Sequence, residues 1–427
     1  MLELDRYPLE RMASTVGTPF YLYDGDALRA SVTRFAGALE GTGAVGRYAM
    51  KANSGRKILD VMRNAGLWID AVSGNEALRA RRAGFEAGFD PPVILLTSDV
   101  FRDNAVEAVL REHITPNLGS PGMLAELRRE GYRGPIAIRV NPGFGQGYVD
   151  ACDTGGPSSK HGIWPDRLDA LRREAADAGL PIRLLHAHVG TGPEVQEFDT
   201  NAGRLIEFFA RLLPEFTAVD AVSLGGGIPH PYHPRVGGYS ESSLRSLVAR
   251  AREDLTRAAG RPIRIEVEPG RFLVAGAALL VARVKDVKQT RANERGPGHT
   301  FVMVDAGFSD LLRPAFYGAY HWIDIVGPHG TREPSPCVVA GPLCESGDVF
   351  TRGEEDLLEP RSMPLPSPGD LIAIQDVGAY GTAMSMNYLS IGRAPELWWE
   401  KGSARLVSRR QTLEDVLAVE CDEPIPV

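Results

Sequence analysis

An alternation of short apolar strands and amphipathic helices, from about residue 20 to residue 270, constrains the fold of this chain more than any other feature. The segments between the strands, such as "NEALRARRAG" and "PGMLAELRREG", place apolar residues at helical spacing, with glycine near the C-terminal end. The strand candidates are "RYAMKA", "IDAVSG", "VILLTS", "ITPNLG", "IAIRVNP", "LLHAHVG", "AVSLGGG" and "IRIEVEP". Eight strand-helix units within about 250 residues predict a parallel (β/α)8 barrel of the TIM type rather than an open sheet.

The pattern changes after residue 275, where "ALLVARVKDVK", "TFVMVDAGF", "CVVAGPLC" and "DLIAIQDVG" follow one another without a strong helix between them. This succession predicts a second, mostly antiparallel β domain, built as a sandwich or barrel. The segment "TPFYLYD" (18–24) would suit a strand lent to that domain. We therefore expect a barrel of residues 26–274 and a discontinuous β domain of residues 1–25 plus 275–427. The Pro/Gly-rich segment 359–370 is expected to be a surface loop.

Composition narrows the classes of function. The 427 residues are 43% apolar and 24% charged, which is typical of a soluble globular protein with two domains. A net charge of -8 without a basic cluster argues against a nucleic-acid partner. The N-terminus does not read as a secretory signal and no run approaches 18 apolar residues, so we expect a cytoplasmic protein without a membrane partner.

The cysteines favour neither a disulfide framework nor a metal site. The chain has four, which lie far apart without a C-x-x-C pair: Cys152, Cys337, Cys344 and Cys421. We expect most of them to be inert buried thiols.

The carboxyl ends of the strands form the active face of a β/α barrel, so the residues there are candidates for a functional site. Lys51 ends the first strand candidate, Asp70 lies at the start of the second, and His186 and His188 belong to the sixth. A lysine in this place is either a solvated surface residue or an amine able to form a Schiff base with a carbonyl or with pyridoxal phosphate.

Two turns favour the second interpretation. The glycines of "GGG" (225–227) would let backbone N–H groups approach a phosphate closely, although alone they are equally typical of a flexible turn. "EPGR" (268–271) adds further backbone donors and an arginine. Glu268 would keep a pyridine nitrogen protonated, and His188 could stack flat on the ring. We assign His186 to the core.

Nearly the whole chain resembles one known family. The most specific stretches, in order, are "YAMKAN", "RVNPGFGQG", "TGGPSSKHGI", "HAHVGTG", "SLGGGIP", "RIEVEPGRFLVAGAALL", "VDAGFSDLLRPAFYGAYH", "VAGPLCESGDVF" and "DVGAYGTAMSMNY". Together they resemble the fold-type III pyridoxal-phosphate decarboxylases, which share the alanine racemase and ornithine decarboxylase-like fold, and within them the diaminopimelate decarboxylases.

The resemblance implies how the cofactor, pyridoxal 5'-phosphate, is held. Lys51 matches the catalytic lysine of the internal aldimine, His188 the histidine stacked on the ring, Glu268 the partner of the pyridine nitrogen, and Asp70 an acid near the aldimine. Further cofactor contacts are implied for Gly225, Gly226, Gly227, Gly270, Arg271 and Tyr380.

The resemblance also implies a substrate site. Arg271, Arg313 and Tyr317 match residues that bind the carboxylate end of the substrate, a task suited to cationic donors. Glu345 matches the residue that recognises the second amino group, and Tyr380 belongs to the same pocket. Cys344 matches the proton donor, which is supplied with Glu345 across the interface of a homodimer with shared active sites.

The implied reaction is decarboxylation of meso-2,6-diaminopimelate at its D-centre, which gives L-lysine and carbon dioxide in the last step of lysine biosynthesis. One departure follows "SMNY", where Leu389 stands in place of the usual asparagine and the chain continues "LSIGRAPELWW". Because of this departure, the substrate could instead be another diamino acid, or an aminoacyl group tethered to a carrier protein, in a related decarboxylase. An amino-acid racemase on this fold is disfavoured by "CESGD", and a non-catalytic cofactor carrier by the presence of both Lys51 and the β domain.

Overall fold

The computed structural model describes residues 1–145, 147, 153–190, 194–294, 296–327, 332–353 and 358–421. Its strands are β1 (Phe20–Asp24), β2 (Val45–Ala49), β3 (Trp68–Ala71), β4 (Ile94–Ser98), β5 (Thr115–Leu118), β6 (Ile136–Arg139), β7 (Ile182–His186), β8 (Ala221–Ser223), β9 (Arg264–Val267), β10 (Ala278–Gln289), β11 (Thr300–Val304), β12 (Ile323–Ile325), β13 (Pro334–Ala340), β14 (Arg361–Pro364), β15 (Leu371–Ile374), β16 (Glu396–Glu400) and β17 (Ser403–Ser408). Its helices are α1 (Leu9–Val16), α2 (Gly25–Leu39), α3 (Arg56–Asn64), α4 (Gly74–Arg82), α5 (Ala105–Glu112), α6 (Pro121–Arg129), α7 (Leu168–Asp177), α8 (Val195–Leu212), α9 (Glu241–Ala259), α10 (Arg271–Val274), α11 (Arg313–Tyr317) and α12 (Leu413–Leu417).

Strands β2 to β9 form a closed parallel barrel in chain order, which confirms the predicted (β/α)8 architecture. The barrel closes where β9 pairs in parallel with β2, with Val45 opposite Glu266. Each of the eight predicted segments overlaps one barrel strand. The strands are almost wholly buried, as expected when helices cover a parallel sheet.

Two strands end earlier than the sequence indicates. β2 ends at Ala49, so Lys51 lies in a 3₁₀ turn after the strand rather than at its end. β7 ends at His186, so His188 also lies beyond its strand. The apolar pattern continues past β2 because Met50 and Ala52 are buried in the turn as well.

Close packing of small residues positions the barrel strands. A buried apolar cluster joins Leu95, Ala137, Leu184 and Ala221 from four different strands. On β2, a Cβ atom added at Gly46 would lie 2.5 Å from the Phe35 ring of α2, so only glycine lets that helix approach so closely.

A buried ion pair lies beside the closure of the barrel. Nε of Arg47 on β2 donates to Oε2 of Glu266 on β9 at 2.5 Å, and both side chains are 0% exposed. The Arg47 guanidinium also donates to the carbonyl oxygens of Ile69 and Val93, both at 3.2 Å. These contacts replace the water that both charges lose, and Nη2 of Arg264 also donates to Oε1 of Glu266 at 2.9 Å.

The remaining strands form a mostly antiparallel sheet, as predicted. Its order is β14-β13-β11-β10-β1-β16-β17, while β15 pairs with both β10 and β12. β1 pairs antiparallel with β10 and parallel with β16. The expectation of a loop over residues 359–370 is wrong at β14, which pairs antiparallel with β13. Within this part of the chain, Leu9 and Met12 of α1 join a core with Phe20, Leu279 and Trp399.

The chain divides into two compact units. The barrel unit comprises residues 29–273, and the β unit comprises residues 1–28 together with 274–427. None of the helices in the described ranges combines the length and apolar character that spanning a membrane requires.

Glu266→Gln should lower the free energy of unfolding by about 3–5 kcal/mol, because it leaves Arg47 buried without a carboxylate. Urea unfolding followed by circular dichroism measures the change. Glu253→Gln is the matched control, since Glu253 and Arg257 form an ion pair whose side chains are 72% and 66% exposed. Its effect should stay below about 1 kcal/mol, and equal losses in the two variants would contradict a special role for the buried pair.

Candidate active site

Lys51 lies at the carboxyl end of β2, in the 3₁₀ turn Met50–Ala52. The turn packs against the segment after β9, where the N–H of Ala49 donates to the carbonyl of Pro269 at 3.1 Å. A Cβ atom at Gly270 would lie 3.0 Å from the Ala49 carbonyl oxygen and 3.1 Å from the Cβ atom of Ala52. Gly270 therefore allows the close approach of the two turns that positions Lys51.

Glu268 follows β9 and is buried, with a hydrogen bond at each carboxylate oxygen. Nε2 of His186 lies 2.9 Å from Oε2, and the Ser223 hydroxyl donates to Oε1 at 2.7 Å. Burial raises the pKa of Glu268, but the charge and hydrogen bond of His186, the Ser223 hydroxyl and the charge of Arg47 outweigh it and lower that pKa to about 2. Glu268 is thus an ionised carboxylate inside the protein.

Asp70 is a buried carboxyl group with the opposite tendency. It lies on β3, where it accepts a hydrogen bond from the Thr97 hydroxyl at 2.5 Å. Burial and the negative charge of Glu268 raise the pKa of Asp70 to about 6, against the positive charge of Lys51 and the Thr97 hydrogen bond. Such divergent pKa values in neighbouring carboxyl groups are typical of catalytic sites.

His188 lies just beyond β7. Burial lowers the pKa of its imidazole well below the ordinary value, and the positive charges of Lys51 and Arg139 lower it further. The N–H of Gly226 donates to Nδ1 of His188 at 3.3 Å. His188 therefore presents a neutral ring with its proton on Nε2.

The glycine run after β8 is shaped by close approach of backbone. A Cβ atom added at Gly225 would lie 2.5 Å from the carbonyl oxygen of Ala187. A Cβ atom added at Gly226 would lie 2.3 Å from the carbonyl oxygen of Glu268. A Cβ atom added at Gly227 would lie 2.4 Å from the carbonyl oxygen of Gly190. Gly225 and Gly227 also have φ of +69° and +92°, which other residues rarely adopt. The glycine run therefore packs tightly between the loops that follow β7 and β9.

These groups fit pyridoxal phosphate. A lysine amine, an ionised buried carboxylate, a neutral flat ring and a glycine turn are the parts that its aldehyde, ring nitrogen, ring face and phosphate require. Arg271, at the start of α10, adds a guanidinium that lies 5.7 Å from the centre of the Tyr232 ring. The described residues contain no group of three or more His, Cys, Asp or Glu side chains that could hold a metal ion.

The other predicted site residues belong to the β unit. Arg313 begins α11 and is buried, with its Nη1 atom 2.7 Å from Nε2 of His321, while Tyr317 ends the same helix. Tyr380 is half-buried and adopts a φ of +58°. Cys344 and Glu345 are adjacent and exposed.

The expectation that most cysteines are buried does not hold for the described residues. Cys337 is buried on β13, whereas Cys344 and Cys421 are exposed, and all three have free thiols. Cys152 lies outside the described residues, as do Gln146 in "RVNPGFGQG" and residues 191–192 in "HAHVGTG". An exposed thiol at Cys344 is free to react, which a buried one is not.

Asp348 holds the loop of Cys344 in place, a role that the sequence analysis missed. Its buried carboxylate accepts hydrogen bonds from the backbone N–H groups of Phe308 at 2.6 Å and Leu343 at 2.8 Å. Its own N–H donates to the carbonyl of Glu345 at 3.0 Å. The final aspartate of "CESGD" was the available signal, because a short acidic side chain in a glycine turn is suited to bind backbone N–H groups.

His186 is the second residue whose role was missed. It is buried, as its assignment to the core requires, but it contacts Glu268 instead of apolar neighbours alone. The spacing of His186 and His188 on one segment was the only signal in the sequence.

Leu389, the departure from the family pattern, lies at an exposed position with left-handed backbone. Its φ is +59° and 49% of its surface is exposed. Asparagine adopts this conformation more readily than leucine, so Leu389 occupies a backbone region that is uncommon for its residue type.

The free energy of unfolding should respond to pH through Asp70. The unfolded chain releases this proton near pH 3.8 and the folded protein near about pH 6, so wild type loses stability as pH rises between these values. Asp70→Asn should remove this loss. Its free energy of unfolding, relative to that of wild type, should therefore rise on the order of 1–3 kcal/mol between about pH 4 and about pH 7. Urea unfolding of the cofactor-free proteins at both pH values measures it; parallel pH profiles would contradict the assignment.

Comparisons with known proteins show the family of the chain. Residues 26–275 match the family model "Pyridoxal-dependent decarboxylase, pyridoxal binding domain". Diaminopimelate decarboxylase of Streptomyces coelicolor is 39% identical over 426 residues, covering 99% of this chain and 93% of the relative. The enzyme of that name from Escherichia coli K12 is 39% identical over 421 residues, covering 96% of each chain.

Solved structures give the same result. A crystal structure of diaminopimelate decarboxylase is 37% identical with a TM-score of 0.88, over 96% of each chain. The Helicobacter pylori diaminopimelate decarboxylase complexed with L-lysine is 29% identical with a TM-score of 0.83, over 96% of this chain and 99% of that one. The chain therefore belongs to the pyridoxal-dependent decarboxylases, and within them to the diaminopimelate decarboxylase family.

Proposed function

We propose that this protein is a carboxy-lyase that uses pyridoxal phosphate to decarboxylate meso-2,6-diaminopimelate at its D-centre, releasing L-lysine and carbon dioxide. The observation that carries the proposal is the barrel site, in which Lys51 and the ionised Glu268 lie at the carboxyl ends of β2 and β9. Family membership favours this substrate over another diamino acid or a carrier-bound aminoacyl group.

Each barrel residue has a defined task in this proposal. Pyridoxal phosphate, when bound, supplies a ring that takes up the electron pair left at the α-carbon as carbon dioxide departs. Lys51 would hold its aldehyde carbon, Glu268 its ring nitrogen and His188 its ring face. Residues 225–227, Gly270 and Arg271 would hold its phosphate, and Tyr380 of the β unit would also contact the cofactor. Asp70, with a pKa of about 6, can hold or release a proton at its carboxyl group near neutral pH.

The β unit would supply the groups that recognise substrate. Arg313 and Tyr317, with Arg271, would bind the carboxylate that the product keeps, because guanidinium groups bind carboxylates in two-point fashion. Glu345 would pair with the distal ammonium group, and Tyr380 would contact the same pocket. The Cys344 thiol would donate the proton that replaces carbon dioxide at the α-carbon.

We further propose that the active form is a homodimer in which Cys344 and Glu345 serve the barrel of the partner subunit. Support comes from the exposure of both residues within the single chain, which leaves them accessible to another subunit. The cytoplasmic location stays a prediction from the sequence.

Lys51→Ala should abolish both the visible absorbance of the protein-bound cofactor and the release of carbon dioxide from diaminopimelate, because it removes the amine that holds the cofactor. Lys57→Ala, which changes an exposed lysine of the neighbouring helix α3, is the matched control and should keep both properties. Product analysis by mass spectrometry should find lysine. A product that keeps both carboxylates would indicate a racemase, and an unchanged spectrum of Lys51→Ala would refute the assignment of the lysine.

Mixing two inactive variants tests the shared site. If Cys344 acts on the partner's barrel, a hybrid dimer of Lys51→Ala and Cys344→Ala contains one site with neither change. An equal mixture that exchanges subunits freely should then recover about one quarter of wild-type activity, since about half of the dimers are hybrids with one intact site of two. Sites confined to one chain would leave every mixture inactive and sink the proposal.

A further inference from the structure

Two buried side chains from adjacent strands, His186 and Ser223, meet at the carboxylate of Glu268, which follows β9. His186 and Ser223 lie opposite each other in the pairing of β7 and β8, and Ser223 lies opposite Glu266, two residues before Glu268. Their relative exposures are 1%, 0% and 5% for His186, Ser223 and Glu268. Each oxygen of Glu268 thus has its own protein partner inside the barrel.

The surroundings of His186 define which ring nitrogen donates. Nδ1 of His186 is buried and has no hydrogen-bond partner among the described residues. A proton placed there would be an unsatisfied buried donor, which is costly. The nitrogen that contacts Glu268 is therefore the donor, and Nε2 donates a hydrogen bond to Oε2 of Glu268.

We propose that His186 is a positioning residue that keeps Glu268 ionised and holds its carboxylate plane toward the ring nitrogen of pyridoxal phosphate. The proposal rests on the function proposed above, because it concerns the cofactor of that site. His186 acts through Glu268 and touches neither the cofactor nor the substrate.

The physical basis is the cost of a charged carboxylate in a buried place. Without donors, burial favours the protonated acid, which would be a poor partner for a protonated ring nitrogen. The Ser223 hydroxyl satisfies only Oε1, so loss of His186 leaves Oε2 without its donor. Glu268 should then take up a proton more readily, and the ring nitrogen should lose its charged partner.

A purely structural histidine would behave differently. If His186 only filled space in the core, its replacement would weaken the binding of any ligand of the same shape. If it acts through Glu268, the loss should be confined to ligands with a nitrogen at that ring position. A pair of ligands that differ in this one atom therefore separates the two roles.

The experiment compares pyridoxal phosphate with its 1-deaza analogue, in which carbon replaces the ring nitrogen. Dissociation constants are measured for the cofactor-free full-length protein, as wild type, His186→Leu and His186→Gln. His186→Leu should weaken the binding of pyridoxal phosphate on the order of tenfold or more, because a hydrogen bond to a charged group is lost. The binding of the analogue should not change. His186→Gln, whose amide nitrogen can replace Nε2, should recover most of the affinity.

One further measurement and one substitute variant strengthen the test. The absorbance of the bound cofactor against pH should change in His186→Leu and return toward wild type in His186→Gln. If His186→Leu does not fold, His186→Phe, which keeps a ring without a donor, replaces it in the same comparison. Equal weakening of both ligands, or no weakening of either, would overturn the proposal.

The outcomes for the proposed function are separate. If His186→Leu weakens the binding of pyridoxal phosphate alone but the wild type does not decarboxylate diaminopimelate, the proposed substrate is refuted and this inference stands. A wild type that forms lysine, with variants that weaken both ligands alike, would refute this inference and keep the function.

Discussion

Closure of eight parallel strands is the constraint on which the rest of the barrel unit depends. Since the strands run in one direction, their carboxyl ends meet on one face, and residues distant in sequence become neighbours there. Lys51 after β2 and Glu268 after β9 belong to strands that pair with each other only because the barrel closes. The same closure buries Arg47 against Glu266, so the β2–β9 contact carries both a fully buried ion pair and two residues of the candidate site.

The electrostatics of the site follow from what surrounds each carboxyl group rather than from depth alone. Asp70 and Glu268 are both buried, yet the pKa of Asp70 rises to about 6 and that of Glu268 falls to about 2. The difference lies in their neighbours: Asp70 has the Thr97 hydroxyl but faces the negative charge of Glu268, whereas Glu268 has His186 and Ser223, with the charge of Arg47 nearby. One fold thereby maintains an acid that can exchange a proton and a carboxylate that stays charged.

Much of the barrel site could be predicted because its parts lie where strands end, and strand ends are visible as apolar runs that stop at polar or glycine residues. Lys51, the glycines 225–227 and Glu268 are predicted this way. His186 escaped because a buried histidine in a strand has no pattern that separates a core residue from a hydrogen-bond donor. Asp348 escaped because its partners are backbone N–H groups of Phe308 and Leu343, which no spacing of side chains reveals.

The sequence by itself determined the (β/α)8 architecture, the β-rich second part and, through its motifs, the cofactor, because periodicity and motifs are properties of neighbouring residues. Tertiary structure decided where strands end, which carboxyl group keeps its charge and what holds Glu268 and the Cys344 loop in place. Those properties depend on contacts between residues that closure of the barrel or folding of the sheet brings together. Burial and hydrogen bonding then set their charge, and neither can be read from residues taken in order.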